Sequence, residues 1–534
     1  MFTCAVILLL VISHVELRLL VHTEVGSIQG VPADDGDYVM FLGIPYARVN
    51  ASNPFGASIP HEKFDKVFEA FNDSVMCPQI REIYLGGGDP YKGALDCLHL
   101  NVYVPNTETT DKAVYVYIFG GKHDHGRSQR DLYGPKYLVR HDVIVVTFNY
   151  RLGPYGFMCM DIPEIPGNQG LWDQYKAIKW VRDNIQAFGG NPQRITIGGH
   201  SSGAMTADMH LLTKQPRLFQ QAILQSGSAT IPGFVRPSDK TALIDIAEKI
   251  GFKTNDTYAA LSFLAKADPE TVIKTTAKYE YEWASCVEKE FDGVVPYIDE
   301  NPELSEGINI DGLNILSGFT ERECIYTLYS PSYAFLLKSE DILRSDLGFK
   351  FNLQNHSNVL DIIKHFYLGD HANGEINKYE VVDFLTDFDF VYPLQRQLIK
   401  YAKHKDTNVY QYLFSYEGHL NRMKRYYNIT EPGTTHSDEL GYIFTIDFLP
   451  DVPNTDDQHK IDQITTLWTN FMKYGNPTPV RTDLLPVSWP PLTADTVPCL
   501  QIDSNLTVIS RPFHRNMAFW DLFYAAHLDK LSII

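Results

Sequence analysis

The stretch RITIGGHSSGAMTADMHLL, residues 194–212, contains the motif that decides the fold. Its first four residues are rich in β-branched side chains and predict a strand, whereas its last nine can form a helix. Between them lies Gly199-His200-Ser201-Ser202-Gly203, a Gly-x-Ser-x-Gly motif. In a strand–turn–helix context this motif is a nucleophile elbow, where a sharp turn strains the serine and requires glycine on either side. We therefore predict that Ser201 is a nucleophile and that the N–H of Ser202 points at a developing oxyanion.

Strands and helices alternate on both sides of this motif. Short apolar runs at 113–119 (AVYVYIF), 143–148 (VIVVTF), 222–224 and 409–414 predict further buried strands. Apolar residues recur at helical spacing over 171–188, and a pair of glycines follows them, which predicts a helix that ends there. The succession predicts an α/β fold with a large, mostly parallel sheet flanked by helices.

The length of the chain and its alternation of strands and helices predict different numbers of domains. A chain of 534 residues suggests three or four domains at about 150 residues each. However, the alternation of strands and helices continues without an internal repeat, a low-complexity tract or a linker rich in Gly, Ser or Pro. We therefore expect residues 17–534 to form a single domain with long insertions.

The charge balance excludes some partners. The sequence has 46 Lys and Arg against 65 Asp and Glu, a formal net charge of −19. Binding to nucleic acid needs clustered basic side chains, so we exclude it, and we disfavour binding to an anionic membrane surface. Small molecules or proteins remain as partners.

The N-terminus is typical of a secreted protein. The apolar run Ala5–Ile12 is shorter than the ~20 residues that span a bilayer, and it fits the core of a signal peptide. We predict a signal peptide over residues 1–16, with an uncertain cleavage site. A basic residue before the run is missing, so a buried N-terminal strand is the alternative. No later stretch is long and apolar enough for a transmembrane anchor, and we expect secretion.

Sequons and cysteines agree with a secretory route. Without Cys4 in the signal peptide, six cysteines remain, an even number that suits an oxidising compartment. Their complete pairing cannot be read from their spacing. Six Asn-x-Ser/Thr sequons predict glycosylation, at Asn50, Asn72, Asn255, Asn355, Asn428 and Asn505.

Several sequence blocks resemble one enzyme family. They lie at 42–47 (LGIPYA), 96–103 (DCLHLNVY), 149–153 (NYRLG), 167–174 (GNQGLWDQ) and 468–471 (WTNF). Together with the elbow, these blocks resemble the type-B carboxylesterase and cholinesterase family, which implies the α/β-hydrolase fold with an active-site gorge. The resemblance covers nearly the whole mature chain, and it specifies the fold more closely than the substrate.

The resemblance also implies an acid and a base. Glu323 in the block 318–323 (GFTERE) occupies the position of the family's acidic residue, and His436 in 433–440 (GTTHSDEL) occupies that of its histidine. The chain order Ser201, Glu323, His436 is the order expected of an α/β-hydrolase triad. We expect His436 to act as the general base and Glu323 to orient its imidazole.

The oxyanion loop departs from the family pattern. The family has three glycines, whereas this chain reads Gly120-Gly121-Lys122. The resemblance implies oxyanion donors at the backbone N–H groups of Gly121, Lys122 and Ser202. If the loop requires a positive φ at Lys122, the side chain costs ~1–2 kcal/mol. A lost donor would cost ~2.7–4 kcal/mol of transition-state stabilisation, so altered activity is an open alternative.

The segment His123-Asp124-His125 permits a metal-site interpretation. Two histidines on a short loop without a further ligand motif are a weak signal, and we favour a polar rim of the gorge. We therefore predict that the protein has no metal and no cofactor.

Two further residue patterns carry implications of the resemblance. Cys77 and Cys97 match the family's first disulfide. Cholinesterases hold a quaternary ammonium on a Trp in that loop, and residues 78–96 here contain no Trp. His200 stands where cholinesterases have Glu. Acetylcholine is therefore not expected to be the main substrate.

Two hypotheses for the function follow. The first is a secreted serine hydrolase of small, uncharged carboxylic esters; thioesters, amides and lactones remain open as alternatives, because the triad does not distinguish them. The second is a non-catalytic or weakly active, cholinesterase-like adhesion or binding protein with a protein partner. The intact triad favours the enzyme.

Overall fold

An eleven-stranded sheet connects distant parts of the chain. The computed structural model describes residues 19–80, 90–307, 309–329, 341–351, 357–369 and 377–527. In chain order the strands of this sheet are β1 (Val31–Pro32), β2 (Tyr38–Pro45), β3 (His99–Pro105), β4 (Lys112–Ile118), β5 (Val143–Phe148), β6 (Gly190–His200), β7 (Gln221–Gln225), β8 (Asn314–Thr320), β9 (Asn408–Phe414), β10 (Cys499–Ile502) and β11 (Leu506–Ile509).

The centre of the sheet is parallel. The spatial order is β11-β10-β9-β8-β7-β6-β4-β5-β3-β2-β1. Neighbouring strands are parallel along the series β5-β4-β6-β7-β8-β9-β10. The pairs at the two edges are antiparallel, namely β5 with β3, β3 with β2 and β2 with β1 at one edge and β10 with β11 at the other. Every residue of β4, β5 and β7 is buried, because helices cover both faces of the sheet. The predicted mostly parallel α/β sheet is thereby confirmed.

Helices connect the strands and cover the sheet. They are α1 (Lys136–Val139), α2 (Gly153–Phe157), α3 (Gln169–Asn184), α4 (Ser202–Leu212), α5 (Ala242–Lys249), α6 (Thr257–Leu264), α7 (Pro269–Lys278), α8 (Asp341–Gly348), α9 (Ser357–Tyr367), α10 (Lys378–Leu385), α11 (Tyr392–Tyr401), α12 (Arg422–Tyr427), α13 (Thr455–Tyr474) and α14 (His514–His527). Short 3₁₀ turns occupy Ile185–Phe188, Glu323–Leu328 and Asp438–Tyr442, and a π-helical segment occupies Thr386–Val391.

Smaller strand pairs lie outside the main sheet. Leu20–Thr23, Gly26–Gln29 and Phe68–Glu69 form a three-stranded sheet. Two further pairs are short antiparallel ladders, Ala47–Arg48 with Ile59–Pro60 and Gln79–Ile80 with Tyr91–Lys92.

A buried ion pair joins two of the sequence blocks. The Arg151 guanidinium contacts the Asp173 carboxylate at 2.6 Å, and both side chains are fully buried. Arg151 also donates to the carbonyls of Pro54 and Gly56, and Asp173 accepts from the Ser58 hydroxyl at 2.7 Å. Because their hydrogen-bonding groups are matched, the two buried charges are compensated.

Two disulfides lie among the described residues. Cys77–Cys97 is the pair that the family resemblance implies. The second disulfide, Cys159–Cys286, joins cysteines 127 positions apart in the sequence. Cys324 and Cys499 are buried thiols outside both disulfides.

Two of the sequence predictions remain predictions. The signal peptide over residues 1–16 lies outside the described residues. That residues 17–534 form a single domain is untested, although strands between residues 31 and 509 share one sheet. Within the described ranges, no helix combines the length and the apolarity needed to cross a bilayer.

Candidate active site

Ser201 lies in a strained turn at the carboxyl end of β6. Its backbone has φ +58° and ψ −131°, and its N–H donates to the carbonyl of Gln225 at 2.9 Å. The flanking glycines are required by close contacts: a Cβ at Gly199 would lie 2.5 Å from the backbone of Gly203, and one at Gly203 would lie 2.2 Å from the Ile118 carbonyl oxygen. A strained residue at the start of a helix is the geometry expected of a nucleophile elbow, and the nucleophilic role of Ser201 stays a prediction.

Glu323 and His436 meet at the same edge of the sheet. Glu323 begins the 3₁₀ turn after β8, and His436 lies between α12 and the 3₁₀ turn Asp438–Tyr442. The Nδ1 atom of His436 is 2.6 Å from Oε2 of Glu323, which is fully buried. The backbone N–H of His436 also donates to the carbonyl of Glu323 at 3.1 Å. The carboxylate therefore fixes the imidazole as a triad acid would.

Ser226 is a site residue that the sequence analysis missed. It directly follows β7, and its hydroxyl donates to Oε1 of Glu323 at 2.6 Å. The N–H of Thr320 donates to the same oxygen at 2.8 Å. These two donors leave Oε2 directed at His436. A polar residue at the carboxyl end of a predicted strand was the available signal.

The imidazole of His436 is bounded by aromatic rings. His200 lies 4.4 Å away between ring centroids, and Phe390 lies 5.0 Å away. Burial lowers the pKa of His200 well below its usual range, and the charges of His436 and Arg422 lower it further. His200 is therefore an uncharged neighbour of the histidine. Among the described residues, the Ser201 hydroxyl makes no hydrogen bond to His436, as is common before substrate binds.

Lys122 adopts the left-handed conformation that glycine would take without strain. Its φ is +53°, and His123 follows with φ +65°. Gln79 holds the end of this loop with two hydrogen bonds to Gly126, one of 2.8 Å from the glycine N–H and one of 2.9 Å to its carbonyl. The N–H of Gly153 donates to the carbonyl of His123 at 2.6 Å. The surrounding structure therefore fixes the loop despite its backbone strain.

The expected polar rim at 123–125 is wrong for His123. This side chain is buried, and its ring stacks on Phe157 at 3.7 Å and lies 4.9 Å from Phe234. Burial lowers the pKa of His123 to about 3, so the imidazole is uncharged at neutral pH. The burial of His123 depends on ring contacts with Phe157 and Phe234, which are distant in the sequence, so the local sequence does not encode it.

One of the three predicted oxyanion donors, the N–H of Gly121, is already hydrogen-bonded. The N–H of Gly121 donates to the hydroxyl oxygen of Ser202 at 2.9 Å. Ser202 is the first residue of α4, where backbone N–H groups have no partner inside the helix. The loop and the helix terminus thus meet beside Ser201.

The described part of the chain offers no metal-binding cluster. Within it, no group of three or more His, Cys, Asp or Glu side chains is arranged to hold a metal ion.

The sequons differ in their accessibility. Asn72, Asn255, Asn428 and Asn505 are exposed, and Asn50 is partly exposed. Asn355 lies outside the described residues. Glycosylation at these positions stays a prediction.

Known proteins resemble this chain along most of its length. The model of the carboxylesterase family matches residues 18–520. An acetylcholinesterase from Bungarus fasciatus is 30% identical, with 95% of this chain and 86% of the relative covered. A juvenile hormone esterase from Heliothis virescens is 29% identical, with 88% and 87% covered.

A solved structure agrees with the fold. The crystal structure of juvenile hormone esterase from Manduca sexta, with OTFP covalently attached, superimposes with a TM-score of 0.82 at 27% sequence identity. The match covers 95% of this chain and 99% of that one. The predicted α/β-hydrolase fold is thus confirmed.

Proposed function

Because the chain belongs to the carboxylesterase family, we propose that it hydrolyses carboxylic esters through an acyl-enzyme formed on Ser201. The observation that carries this proposal is the 2.6 Å contact between His436 and the buried Glu323, beside the strained turn of Ser201. Family membership and the esterase relatives support a carboxylic-ester hydrolase. The three residue roles are our assignment.

The reaction begins with attack of the Ser201 hydroxyl oxygen on the ester carbonyl carbon. His436 accepts the hydroxyl proton at Nε2 and then donates it to the leaving alcohol. Glu323 keeps the Nδ1 proton in place and stabilises the imidazolium that forms. Water then attacks the acyl-enzyme with the same base, which releases the acid and restores Ser201.

The oxyanion of each tetrahedral intermediate is stabilised by the backbone N–H groups of Lys122 and Ser202, while the N–H of Gly121, the other predicted donor, is hydrogen-bonded to the Ser202 hydroxyl. Losing one such donor costs about 10²–10³ in kcat. Lys122 retains a backbone N–H, and its loop is clamped by Gln79 and Gly153. A lysine with a left-handed backbone conformation at position 122 is therefore compatible with a functional oxyanion hole.

The substrate that we propose is an uncharged small-molecule ester. His200 is buried where cholinesterases have Glu, and an imidazole supplies no negative charge for a quaternary ammonium. Acetylcholine is accordingly disfavoured. Juvenile hormone belongs in a panel of candidate esters because two relatives are named as its esterases.

A fluorophosphonate probe tests the chemistry. We expect covalent labelling of the wild type and burst release of p-nitrophenol from short-chain esters, both abolished in Ser201→Ala. Ser504→Ala is the matched control, since Ser504 is an exposed serine far along the chain from the elbow. A folded wild type that is neither labelled nor active would refute the proposal and favour the non-catalytic binding protein.

We also propose that the protein is secreted and glycosylated. Two disulfides and four exposed sequon asparagines support an oxidising route. Expression of the full chain in animal cells should give protein in the medium whose electrophoretic mobility rises after glycosidase treatment. Retention inside the cells without any mobility shift would contradict this.

A further inference from the structure

The hydroxyl of Ser202 is hydrogen-bonded to the N–H of Gly121, which is one of the predicted oxyanion donors. Its oxygen lies 2.9 Å from the nitrogen of Gly121 and accepts that N–H. The Ser202 residue is 3% exposed, so this contact is shielded from bulk water. An oxyanion placed in line with the Gly121 N–H would compete with the hydroxyl for the same hydrogen.

The hydroxyl has unused capacity as a donor. A serine hydroxyl has one hydrogen to donate and two lone pairs to accept with. Within the described residues, the Ser202 oxygen accepts from Gly121, and its own hydrogen has no acceptor. A buried O–H without an acceptor is unfavourable, so a site that keeps one is suited to an acceptor supplied by the substrate.

We propose that the Ser202 side chain is a catalytic group: its hydroxyl donates a hydrogen bond to the oxyanion while it accepts one from Gly121. This inference rests on the proposed acyl-enzyme chemistry at Ser201. No proton leaves the hydroxyl oxygen in this step. The hydrogen-bond chain that runs from the Gly121 N–H through the Ser202 hydroxyl to the oxyanion is polarised along its length, which strengthens the last bond.

In this arrangement the Ser202 hydroxyl takes the place of the Gly121 N–H as a donor in the oxyanion hole. The backbone N–H groups of Lys122 and Ser202 remain directed at the same oxygen in the proposed mechanism. Ser202 therefore contributes twice, once through its backbone and once through its hydroxyl. This role is specific to a chain with serine directly after the nucleophile.

Removal of the hydroxyl tests the assignment. In Ser202→Ala we expect kcat for a p-nitrophenyl ester to fall about 10–100-fold with KM nearly unchanged, because the freed Gly121 N–H replaces the lost donor only in part. Inhibition by a trifluoromethyl ketone, which forms a tetrahedral adduct, should weaken by the same factor. Ser202→Thr keeps a hydroxyl and should retain most of the activity.

A matched variant separates catalysis from general disturbance of the helix. Thr206 lies on α4, is buried, and its hydroxyl donates to the carbonyl of Gly203 at 3.0 Å. Thr206→Val removes a hydroxyl from the same helix and should leave ketone inhibition unchanged. If Ser202→Ala does not fold, Ser202→Cys provides the same comparison, because a thiol is a weak donor.

The outcomes distinguish this inference from the proposed function. Ser202→Ala with equal or higher kcat would overturn the inference, since the hydroxyl would then merely block Gly121. Equal losses of kcat in Thr206→Val would overturn it as well. A wild type that does not react with a fluorophosphonate would overturn the proposed function and this inference together.

Discussion

Replacing Lys122 by glycine should stabilise the protein and change its activity little. With φ at +53°, Lys122 bears a left-handed backbone that costs a non-glycine residue ~1–2 kcal/mol. Glycine removes this cost but gains freedom in the unfolded chain, which offsets about 0.4–1 kcal/mol. At the middle of both ranges, the expected net gain in the free energy of unfolding is about 0.8 kcal/mol.

The effect of Lys122→Gly on catalysis follows from what holds the loop. Gln79 and Gly153 bind the backbone at Gly126 and His123, and neither contact uses the lysine side chain. The N–H at position 122 should therefore keep its direction. We expect kcat/KM to change by less than about threefold, far below the 10²–10³ expected for a lost donor.

Urea denaturation and ester hydrolysis measure the two effects of Lys122→Gly. Lys122→Ala is the control for the side chain, because alanine removes the amine but keeps the left-handed cost. A gain in kcat/KM above tenfold for glycine and not for alanine would refute the reasoning, since it would mean that strain misdirects the donor. An unchanged free energy of unfolding would show that the backbone is not strained.

Three other substitutions test the fold and its pH dependence. Asp173→Ala leaves the Arg151 charge buried and unpaired, so the free energy of unfolding should fall by about 3–5 kcal/mol in denaturant titrations. Burial, with the charge of Glu323 adding, raises the pKa of Glu439 from 4.5 to about 8. The folded state therefore retains a proton that the unfolded chain releases above about pH 4.5, and this group destabilises the fold increasingly up to about pH 8. Glu439→Gln should reduce the loss of stability over that interval by up to roughly 1.4 kcal/mol per pH unit. Loss of Cys159–Cys286, which closes a loop across 127 positions, should cost about 5 kcal/mol in thermal or urea unfolding.

Each of these substitutions has a comparison that would expose an error. Asp299 pairs with Lys214 at the surface, so Asp299→Ala should cost at most about 1 kcal/mol; an equal cost for Asp173→Ala would contradict the burial argument. For Glu439→Gln, a pH profile parallel to that of the wild type would mean that the carboxyl is ionised in the fold. Loss of the shorter Cys77–Cys97 loop should cost less, about 3 kcal/mol; the reverse order would contradict the entropic account.

Sequence patterns predicted the centre of the sheet well. The predicted strand 143–148 coincides with β5, and the other predicted strands match β4, β6, β7 and β9 within a few residues, with β6 and β7 extending further. These segments are apolar on both faces because they are buried on both faces, so their pattern is local information. The same holds for the elbow, whose glycines are dictated by contacts within and beside the turn.

Contacts between segments that are distant in the sequence could not be predicted from such patterns. Ser226 reaches Glu323 across 97 positions, and the hydroxyl of Ser202 meets Gly121 across 81. The partner of Cys159 could not be deduced, because four cysteines outside the first pair allow three connectivities. In each case the residue types were visible, but their proximity depends on how strands are ordered in the sheet.

The formal charge of −19 describes the ionised surface better than the interior. That number counts every carboxyl as ionised. Burial raises the pKa of Glu439 to about 8 and the pKa values of Glu288 and Asp387 to about 7. A substantial fraction of each of these carboxyl groups is therefore protonated at neutral pH. Beside the nucleophile, His200 is uncharged for the same reason, as burial disfavours either sign of charge. The protein interior is therefore closer to neutral than the composition indicates, as suits a proposed reaction that develops negative charge at the oxyanion.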